Sequence, residues 1–176
     1  MKKAILITSS ILLIFFLGFF TRQFLPIKHF ESTTMKKVTE MDLESLLLKL
    51  KNAMNTHDIN SFIECIDENY FSEQPVHPDR TFNGQEQVKK NWSSNFDEMP
   101  DFSAQLLRHF ISNNSIWAEW EWQGTRQDKS RLLMRGVTIM GVENGKIKWG
   151  RLYVEPVDVN GKGIDATVRE VMQGKR

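Results

Sequence analysis

Two polar side chains of this 176-residue sequence have the chemistry and the surroundings for proton transfer. Asp101 follows Pro100, where a helical pattern gives way to strands. A carboxyl beside an aromatic pocket there would shuttle a proton, because desolvation penalises its charged form. His77 lies in a proline-rich loop, where its imidazole would reach a bound ligand as an electrostatic partner. Each also has a plainer interpretation, since a Pro-Asp pair turns or caps the chain and a loop histidine faces solvent.

Large aromatic side chains recur on alternate residues in the last third of the chain, and alternate residues of a strand share one face. Together with one arginine they predict the lining of an apolar cavity for a flat hydrophobic molecule, or else an ordinary core. The members of this set are Trp120, Trp122, Trp149, Arg151 and Tyr153. A buried Arg151 needs a partner. An ion pair with Glu155 on the same predicted face is favoured over a contact with Asp101 or with a ligand anion.

The composition excludes several classes of function. With 23 basic and 22 acidic residues the chain has a formal net charge of only +1, so it has no overall positive electrostatic field that would attract nucleic acid. The single cysteine, Cys65, rules out an internal disulfide, and its apolar neighbours predict a buried thiol rather than a reactive one. No spacing of histidines or carboxylates indicates a metal site, and no glycine-rich phosphate loop occurs. We therefore expect no metal and no cofactor.

The N-terminus has the pattern of a targeting segment. Residues 4–20 carry no charge, and as a helix they span about 25 Å at ~1.5 Å per residue, close to the thickness of a bilayer core. Lys2 and Lys3 precede this stretch, and no small-residue cleavage site follows it. We expect residues 1–25 to form a single-pass anchor in the cell membrane, with a linker at residues 26–38 and the C-terminal domain outside the cytoplasm. Secretion after signal cleavage is the alternative.

Three amphipathic helices are predicted after the linker. Thr39 and Asp42 have the spacing of a capping box, and Asp58 is a good N-cap for a second, shorter helix. Apolar residues recur at helical spacing behind both caps, and again from Val88 to Phe96 in a third segment. A brief strand at Tyr70 separates the second helix from the third.

Four long strands follow, at about residues 102–111, 116–123, 132–142 and 146–154. Asn144-Gly145 between the last two is a strong hairpin signal, because both central residues of a type I′ turn need positive φ. The whole pattern predicts an α+β fold, a curved antiparallel sheet covered by three N-terminal helices. The side chains predicted to face the helices are Ile116, Ala118, Trp120 and Trp122 on the second long strand, and Ile147, Trp149, Arg151, Tyr153 and Glu155 on the fourth.

The order of these elements and several short runs resemble the SnoaL-like members of the nuclear transport factor 2 superfamily. The runs that carry the resemblance are Ala53-Met-Asn-Thr-His-Asp-Ile59, Phe82-Asn-Gly84, Met99-Pro-Asp101, Trp122-Gln-Gly-Thr125, Gly145-Lys-Ile147 and Arg151-Leu-Tyr153. The resemblance implies a cone-shaped domain with a helix-lined pocket at residues 39–158, followed by a polar tail at 159–176. Members include polyketide cyclases, ketosteroid isomerases and epoxide hydrolases as well as proteins with no known activity, so the resemblance alone implies no reaction.

Most functional residues of the family are replaced by other residue types here. The resemblance puts Gln74 where a ketosteroid isomerase has its base, and Leu50 where it has its oxyanion tyrosine. The positions that match the Asp, Arg and Asp of limonene-type epoxide hydrolases hold Trp120, Trp122 and Leu152. Asp101 matches the acid-base Asp of the SnoaL-type cyclases, whereas Arg126 replaces the histidine of their Gly-Thr-His run.

We therefore expect an exported, membrane-anchored domain that binds a small hydrophobic or amphipathic molecule in its cone. The first alternative is an acid-base enzyme of the isomerase, cyclase or dehydratase type that uses Asp101. The second is an interaction module that forms a homodimer through the exposed sheet face around Trp117 and Val154.

Overall fold

A computed structural model describes residues 39–174 of the chain. The predicted membrane anchor and linker, residues 1–38, lie outside the described residues. Within residues 39–174 no helix has both the length and the apolar character needed to cross a membrane.

The described residues form four α-helices and six strands, and the predicted helices and long strands are confirmed close to their expected bounds. The helices are α1 (Glu40–Thr56), α2 (Ile59–Glu64), α3 (Gln85–Glu98) and α4 (Ile164–Met172), with a 3₁₀ turn at Pro78–Arg80. The strands are β1 (Ile66–Glu73), β2 (Phe82–Asn83), β3 (Ser103–Ser112), β4 (Ser115–Thr125), β5 (Arg131–Glu143) and β6 (Lys146–Pro156).

Side-chain caps determine where the first two helices begin. The Thr39 hydroxyl accepts the Asp42 backbone N–H at 3.2 Å, and the Asp42 carboxylate accepts the Thr39 backbone N–H at 3.0 Å, which completes the predicted capping box. Helix α1 ends at His57, whose φ of 53° is left-handed. Asp58 then caps α2 by accepting two backbone N–H groups of its first turn.

The six strands form one sheet in the order β2-β1-β6-β5-β4-β3. Neighbouring strands are antiparallel except β1 and β6, which run parallel. The hairpin predicted between β5 and β6 is present, with φ of 51° at Asn144 and 76° at Gly145. Strand β1 is longer than the brief strand predicted at Tyr70, because it begins at Ile66 directly after α2.

One face of the sheet packs against the three N-terminal helices and forms the core. Helix α1 contacts β3, and both α2 and α3 contact β1. The predicted inward face of β4 is confirmed, since Ile116, Ala118 and Trp120 are at most 1% exposed. Cys65 is buried at the end of α2, as its apolar neighbours predicted, and burial raises the pKa of its thiol to about 11.

A β-bulge at Lys148 makes the predicted facing of β6 wrong after its first residues. Gly141 of β5 pairs with Trp149, but the next residue, Val142, pairs with Ile147, so Lys148 is an extra residue in the ladder. An extra residue moves every later side chain to the opposite face. Ile147 faces the helices as predicted, whereas Trp149 and the residues that alternate with it face away from them.

The predicted polar tail contains α4, whose apolar side chains remain exposed. Ile164, Val168, Val171 and Met172 are 46–81% exposed. Helix α4 therefore adds nothing to the core between the sheet and the first three helices.

Candidate functional site

A cavity of about 210 Å³ lies between the sheet and the first three helices. Most of its wall is apolar. The apolar side chains that line it include Leu50 and Met54 of α1, Phe62 of α2, Val88 of α3, Met140 of β5 and Ile147 and Leu152 of β6. We call this space the cavity.

Strand β1 contributes a polar strip to the cavity wall. Tyr70 and Ser72 are two residues apart in β1, so they share the face of the strand that points to the helices, and Gln74 directly follows the end of β1. All three residues line the cavity. Tyr70 is 8% exposed and Ser72 is 1% exposed. Burial raises the pKa of the Tyr70 phenol, and a hydrogen bond with the Ser72 hydroxyl offsets part of that rise. Gly150 leaves room for the phenol, since a Cβ there would lie 2.3 Å from the Tyr70 hydroxyl oxygen.

Helix α3 contributes two amides near the opening of the cavity. Asn91 and Asn95 are one helical turn apart, line the cavity and are exposed, so they lie where the cavity meets solvent. The Asn91 side-chain oxygen accepts a hydrogen bond from Gln87 at 2.7 Å, which leaves its NH₂ group available to a ligand.

Two tryptophans of β4, Trp120 and Trp122, belong to the aromatic part of the wall, as predicted, but their indole N–H groups differ. The Trp120 N–H donates to the Thr138 hydroxyl at 2.9 Å. The Trp122 N–H is buried without a hydrogen-bond partner, and it is the only such side-chain group found within residues 39–174. The Trp122 ring meets the Trp92 ring edge-on, with 5.7 Å between the centroids, which holds the indole in place.

The other three predicted ligand-binding residues do not line the cavity, because the bulge turns them to the opposite face. Trp149 packs over Gly141, and the Arg151 guanidinium lies 5.9 Å from the centre of the Trp149 ring. Tyr153 is 38% exposed. The predicted ion pair between Arg151 and Glu155 is wrong.

Arg151 and Glu155 each have another partner. Arg151 donates to the Glu73 carboxylate at 2.7 Å. Glu155 pairs with His77 at 3.0 Å, and His77 is not among the residues that line the cavity. The predicted catalytic partner therefore contacts a carboxylate at the surface rather than the cavity.

Asp101 also lies outside the lining of the cavity, contrary to its expected position beside an aromatic pocket. Its carboxylate is exposed and accepts the Thr125 backbone N–H at 2.7 Å. That hydrogen bond lowers the pKa of Asp101, the opposite of the rise that a proton shuttle needs. The geometry corresponds to the plainer interpretation, in which the Pro-Asp pair fixes the turn into the strands.

The cavity occupies the position at which the family resemblance places its functional residues. The five residues that match functional positions of the isomerases and the epoxide hydrolases all line it, and they are Leu50, Gln74, Trp120, Trp122 and Leu152. A mostly antiparallel sheet closed by helices over such a cavity defines the class of nuclear transport factor 2-like folds. Within that class, a family model described as a SnoaL-like domain matches residues 49–150, more than half of the chain. The chain belongs to the SnoaL-like domain family.

Solved structures similar to this one share its fold at low sequence identity. An NTF2-like protein from Anabaena variabilis has a TM-score of 0.56 and 13% identity, with 67% of this chain and 88% of that chain covered. An LEH-like epoxide hydrolase from M. tuberculosis has a TM-score of 0.57 and 12% identity, with 76% and 97% covered. The epoxide hydrolase/cyclase-like enzyme SalBIII has a TM-score of 0.58 and 17% identity, with 67% and 92% covered. A search of curated protein sequences gave no match.

Proposed function

We propose that the SnoaL-like domain binds a small hydrophobic or amphipathic molecule in the cavity and performs no acid-base chemistry on it. One observation carries the proposal. Of the described residues that line the cavity, none has a carboxylate, imidazole, amine or guanidinium group. Amide, serine and threonine side chains hold and orient a ligand, but they are poor general acids and bases near neutral pH. The Tyr70 phenol also lines the cavity, and burial raises its pKa, which keeps it from acting as a base.

The dimensions of the cavity support a small ligand. A volume of about 210 Å³ exceeds the roughly 150 Å³ of an engineered apolar cavity that binds benzene, and it is smaller than a pocket for a drug-sized molecule. The apolar wall favours a hydrophobic body, and the amides of Asn91 and Asn95 at the opening favour a polar end.

An acid-base enzyme that uses Asp101 is the less favoured function. Similarity to proteins described as an epoxide hydrolase and as a cyclase-like enzyme favours chemistry, but the Asp101 carboxylate is exposed and engaged by Thr125. We expect Asp101→Asn to leave ligand binding unchanged, because the amide oxygen still accepts the Thr125 N–H. Catalysis that disappears in Asp101→Asn would favour the enzyme instead.

The binding proposal is tested with the full chain, labelled with nitrogen-15 and held in lipid nanodiscs. The probe is tetralin, a neutral bicyclic hydrocarbon small enough for the cavity of about 210 Å³. We expect saturable shifts of the Trp120 indole N–H signal in the NMR spectrum, because this residue lines the cavity. Leu152→Trp fills the cavity and should abolish the shifts, whereas Leu48→Trp on the exposed surface of α1 should not. No shift in the wild type would refute the proposal.

We also propose that residues 4–20 anchor the protein in the cell membrane, with the domain outside the cytoplasm. The uncharged length of this segment and the two lysines before it support that location. The protein should stay with the membrane after carbonate extraction, be cut by protease added to intact cells, and begin at Met1 on N-terminal sequencing. A mature N-terminus beyond residue 20 would indicate cleavage and secretion instead.

A homodimer through the sheet face around Trp117 is a second candidate function. Trp117 and Phe110 are cross-strand partners, 48% and 66% exposed, and such paired exposed aromatics are typical of protein contacts. Val154, which was expected beside Trp117, is instead 8% exposed. Trp117→Glu should abolish a chemically crosslinked dimer in membranes, whereas Leu48→Glu should leave it. Absence of a crosslinked dimer in the wild type would refute this function.

A further inference from the structure

We propose that helix α4 lies on the surface of an anionic lipid bilayer, with its apolar side chains among the outermost parts of the acyl chains. The inference rests on the proposed membrane anchor and adds a second contact between the protein and the bilayer. It follows from an apolar stripe that faces solvent, from the charge of the segment that carries it, and from the small size of the stripe.

The large apolar side chains of α4 form one continuous stripe along the helix. Their spacings of four, three and one residues put them on one side of a helix, and they are 46–81% exposed. The stripe consists of Ile164, Val168, Val171 and Met172. Arg169 and Glu170 lie on the other side of α4. An amphipathic helix with a charged face and an apolar face that is free of protein contacts is typical of helices that lie in a membrane interface.

The segment that carries α4 is basic, unlike the rest of the chain. Residues 159–176 contain four basic and two acidic side chains, a formal charge of +2, whereas the whole chain has +1, which leaves −1 for residues 1–158. Lys162 pairs with Glu170 at 2.7 Å, so the excess of positive charge comes from Arg169, Lys175 and Arg176. Basic side chains next to an apolar stripe are attracted to the anionic head groups of a bilayer.

The size of the stripe favours a bilayer over a second protein. A stable protein interface uses about 20–30 residues on each side, whereas the stripe has only four. A contact this small forms to a useful extent only when its partner is held close by another link, which raises the effective concentration. The proposed anchor at residues 4–20 supplies such a link to the bilayer.

The exposed sheet face around Trp117 is another apolar surface that α4 could cover, but it does not match the charge of the segment. The carboxylates of Glu119 and Glu121, on the same face of β4 as Trp117, already pair with Arg108 and Arg135. Those carboxylates therefore offer little to additional basic side chains, whereas anionic lipid head groups offer many unpaired negative charges.

The inference is tested with the full chain in nanodiscs whose lipids carry a nitroxide near the head group. The nitroxide broadens the NMR signals of nearby atoms, so the backbone amide signals of α4 report contact with lipid. We expect strong broadening in nanodiscs that contain phosphatidylglycerol, which is anionic. With phosphatidylcholine alone, the ratio of bound to free helix should be about 10-fold lower, because the positive segment no longer meets an anionic surface.

Val168→Glu supplies the decisive comparison, because it puts a carboxylate in the middle of the stripe. The ratio of bound to free helix should fall at least about 10-fold in the anionic nanodiscs. Val159→Glu is the matched control, since it makes the same change of charge at a residue that is 75% exposed and precedes α4, and it should leave the broadening nearly unchanged. Glutamate forms helices at least as well as valine, so Val168→Glu should keep α4 helical.

The outcomes separate this inference from the proposed anchor. A chain that stays with the nanodiscs but shows no broadening of α4, or the same broadening in Val168→Glu, overturns the inference and leaves the anchor standing. Nuclear Overhauser contacts between α4 and the Trp117 ring would place the helix on the sheet, of the same or a second copy, and would also overturn it. A chain that does not remain with the nanodiscs overturns both.

Discussion

The bulge at Lys148 determines which face of the sheet Trp149 occupies, and Gly141→Ala tests that placement. A Cβ on Gly141 would lie 2.0 Å from the indole nitrogen of Trp149 and 2.1 Å from the adjacent ring carbon. Ordinary contacts of a Cβ atom begin at 3.4 Å, so the ring must move by more than an ångström. Its contact with the Arg151 guanidinium, 5.9 Å from the ring centre, would be lost as well.

The expected cost can be worked out from two opposing effects. Overpacking against a ring costs about 1–3 kcal/mol, and the half-buried position of Trp149 puts the value toward the lower end. Replacing glycine by alanine in a strand stabilises the folded state by about 0.5–1 kcal/mol, because less backbone entropy is lost on folding. We expect Gly141→Ala to destabilise the wild type by about 1 kcal/mol. In a Trp149→Ala background it should be neutral or slightly stabilising.

Urea unfolding of the full chain in mild detergent, followed by far-ultraviolet circular dichroism, measures the four proteins of this double-mutant cycle. The coupling free energy between the two sites should be about 1–3 kcal/mol. Gly161→Ala is the control, since its Cβ would meet no atom closer than 3.6 Å, and it should show no coupling to Trp149. An equal cost for Gly141→Ala in both backgrounds would mean that the Trp149 ring does not lie over Gly141, and the bulge assignment would fail.

Three further predictions concern buried groups. Gly150→Ala should cost about 1–3 kcal/mol in urea unfolding, because its Cβ would lie 2.3 Å from the Tyr70 hydroxyl oxygen. Most of this cost should disappear in Tyr70→Phe, where the nearest atom would be 3.3 Å away, and a cost that persists would contradict the geometry. Trp120→Phe should lower the free energy of unfolding by roughly 2 kcal/mol, because it leaves the Thr138 hydroxyl without its donor at 2.9 Å, and a cost near zero would contradict that bond. Burial raises the pKa of Cys65 from 9.0 to about 11, so the unfolded thiol ionises first. The stability that this thiol contributes is complete below pH 9.0 and is lost as the pH rises toward 11. Cys65→Ser, which does not ionise in this window, should lose less stability between those two pH values, and an unchanged loss would refute the burial effect.

The rule that alternate residues of a strand share one face correctly predicted which side chains of β4 point to the helices. The same rule failed for β6, for a physical reason. The ladder between β4 and β5 is uninterrupted from Ser115 to Thr125, so each residue keeps the face that its position implies. In β6 the register shifts at Lys148. A bulge is a property of two paired strands, and the composition of β6 alone gives no signal of it. Trp120 and Trp122 were therefore placed correctly, whereas Trp149 was not.

The polar side chains of the cavity were missed for two different reasons. Tyr70, Ser72 and Gln74 follow the period of a strand, but the predicted strand was too short to make that period visible. A strand extended to Glu73 would have put Tyr70 and Ser72 on one face. Asn91 and Asn95 are spaced by one helical turn, which is a usable signal, but exposed amides on a helix look the same whether they face a cavity or bulk solvent.

Family membership locates the site in this chain without determining its reaction. The backbone of helices and strands fixes where a side chain points, so Leu50 of α1 and Leu152 of β6 line the cavity whatever their chemistry. The side chain itself determines whether a proton moves, and an amide at position 74 takes none from carbon. In this chain the cavity wall is mostly apolar, and its polar groups are neutral hydrogen-bond donors and acceptors. The absence of ionisable groups among the described residues of the cavity wall is therefore the reason for proposing ligand binding rather than acid-base chemistry in this chain.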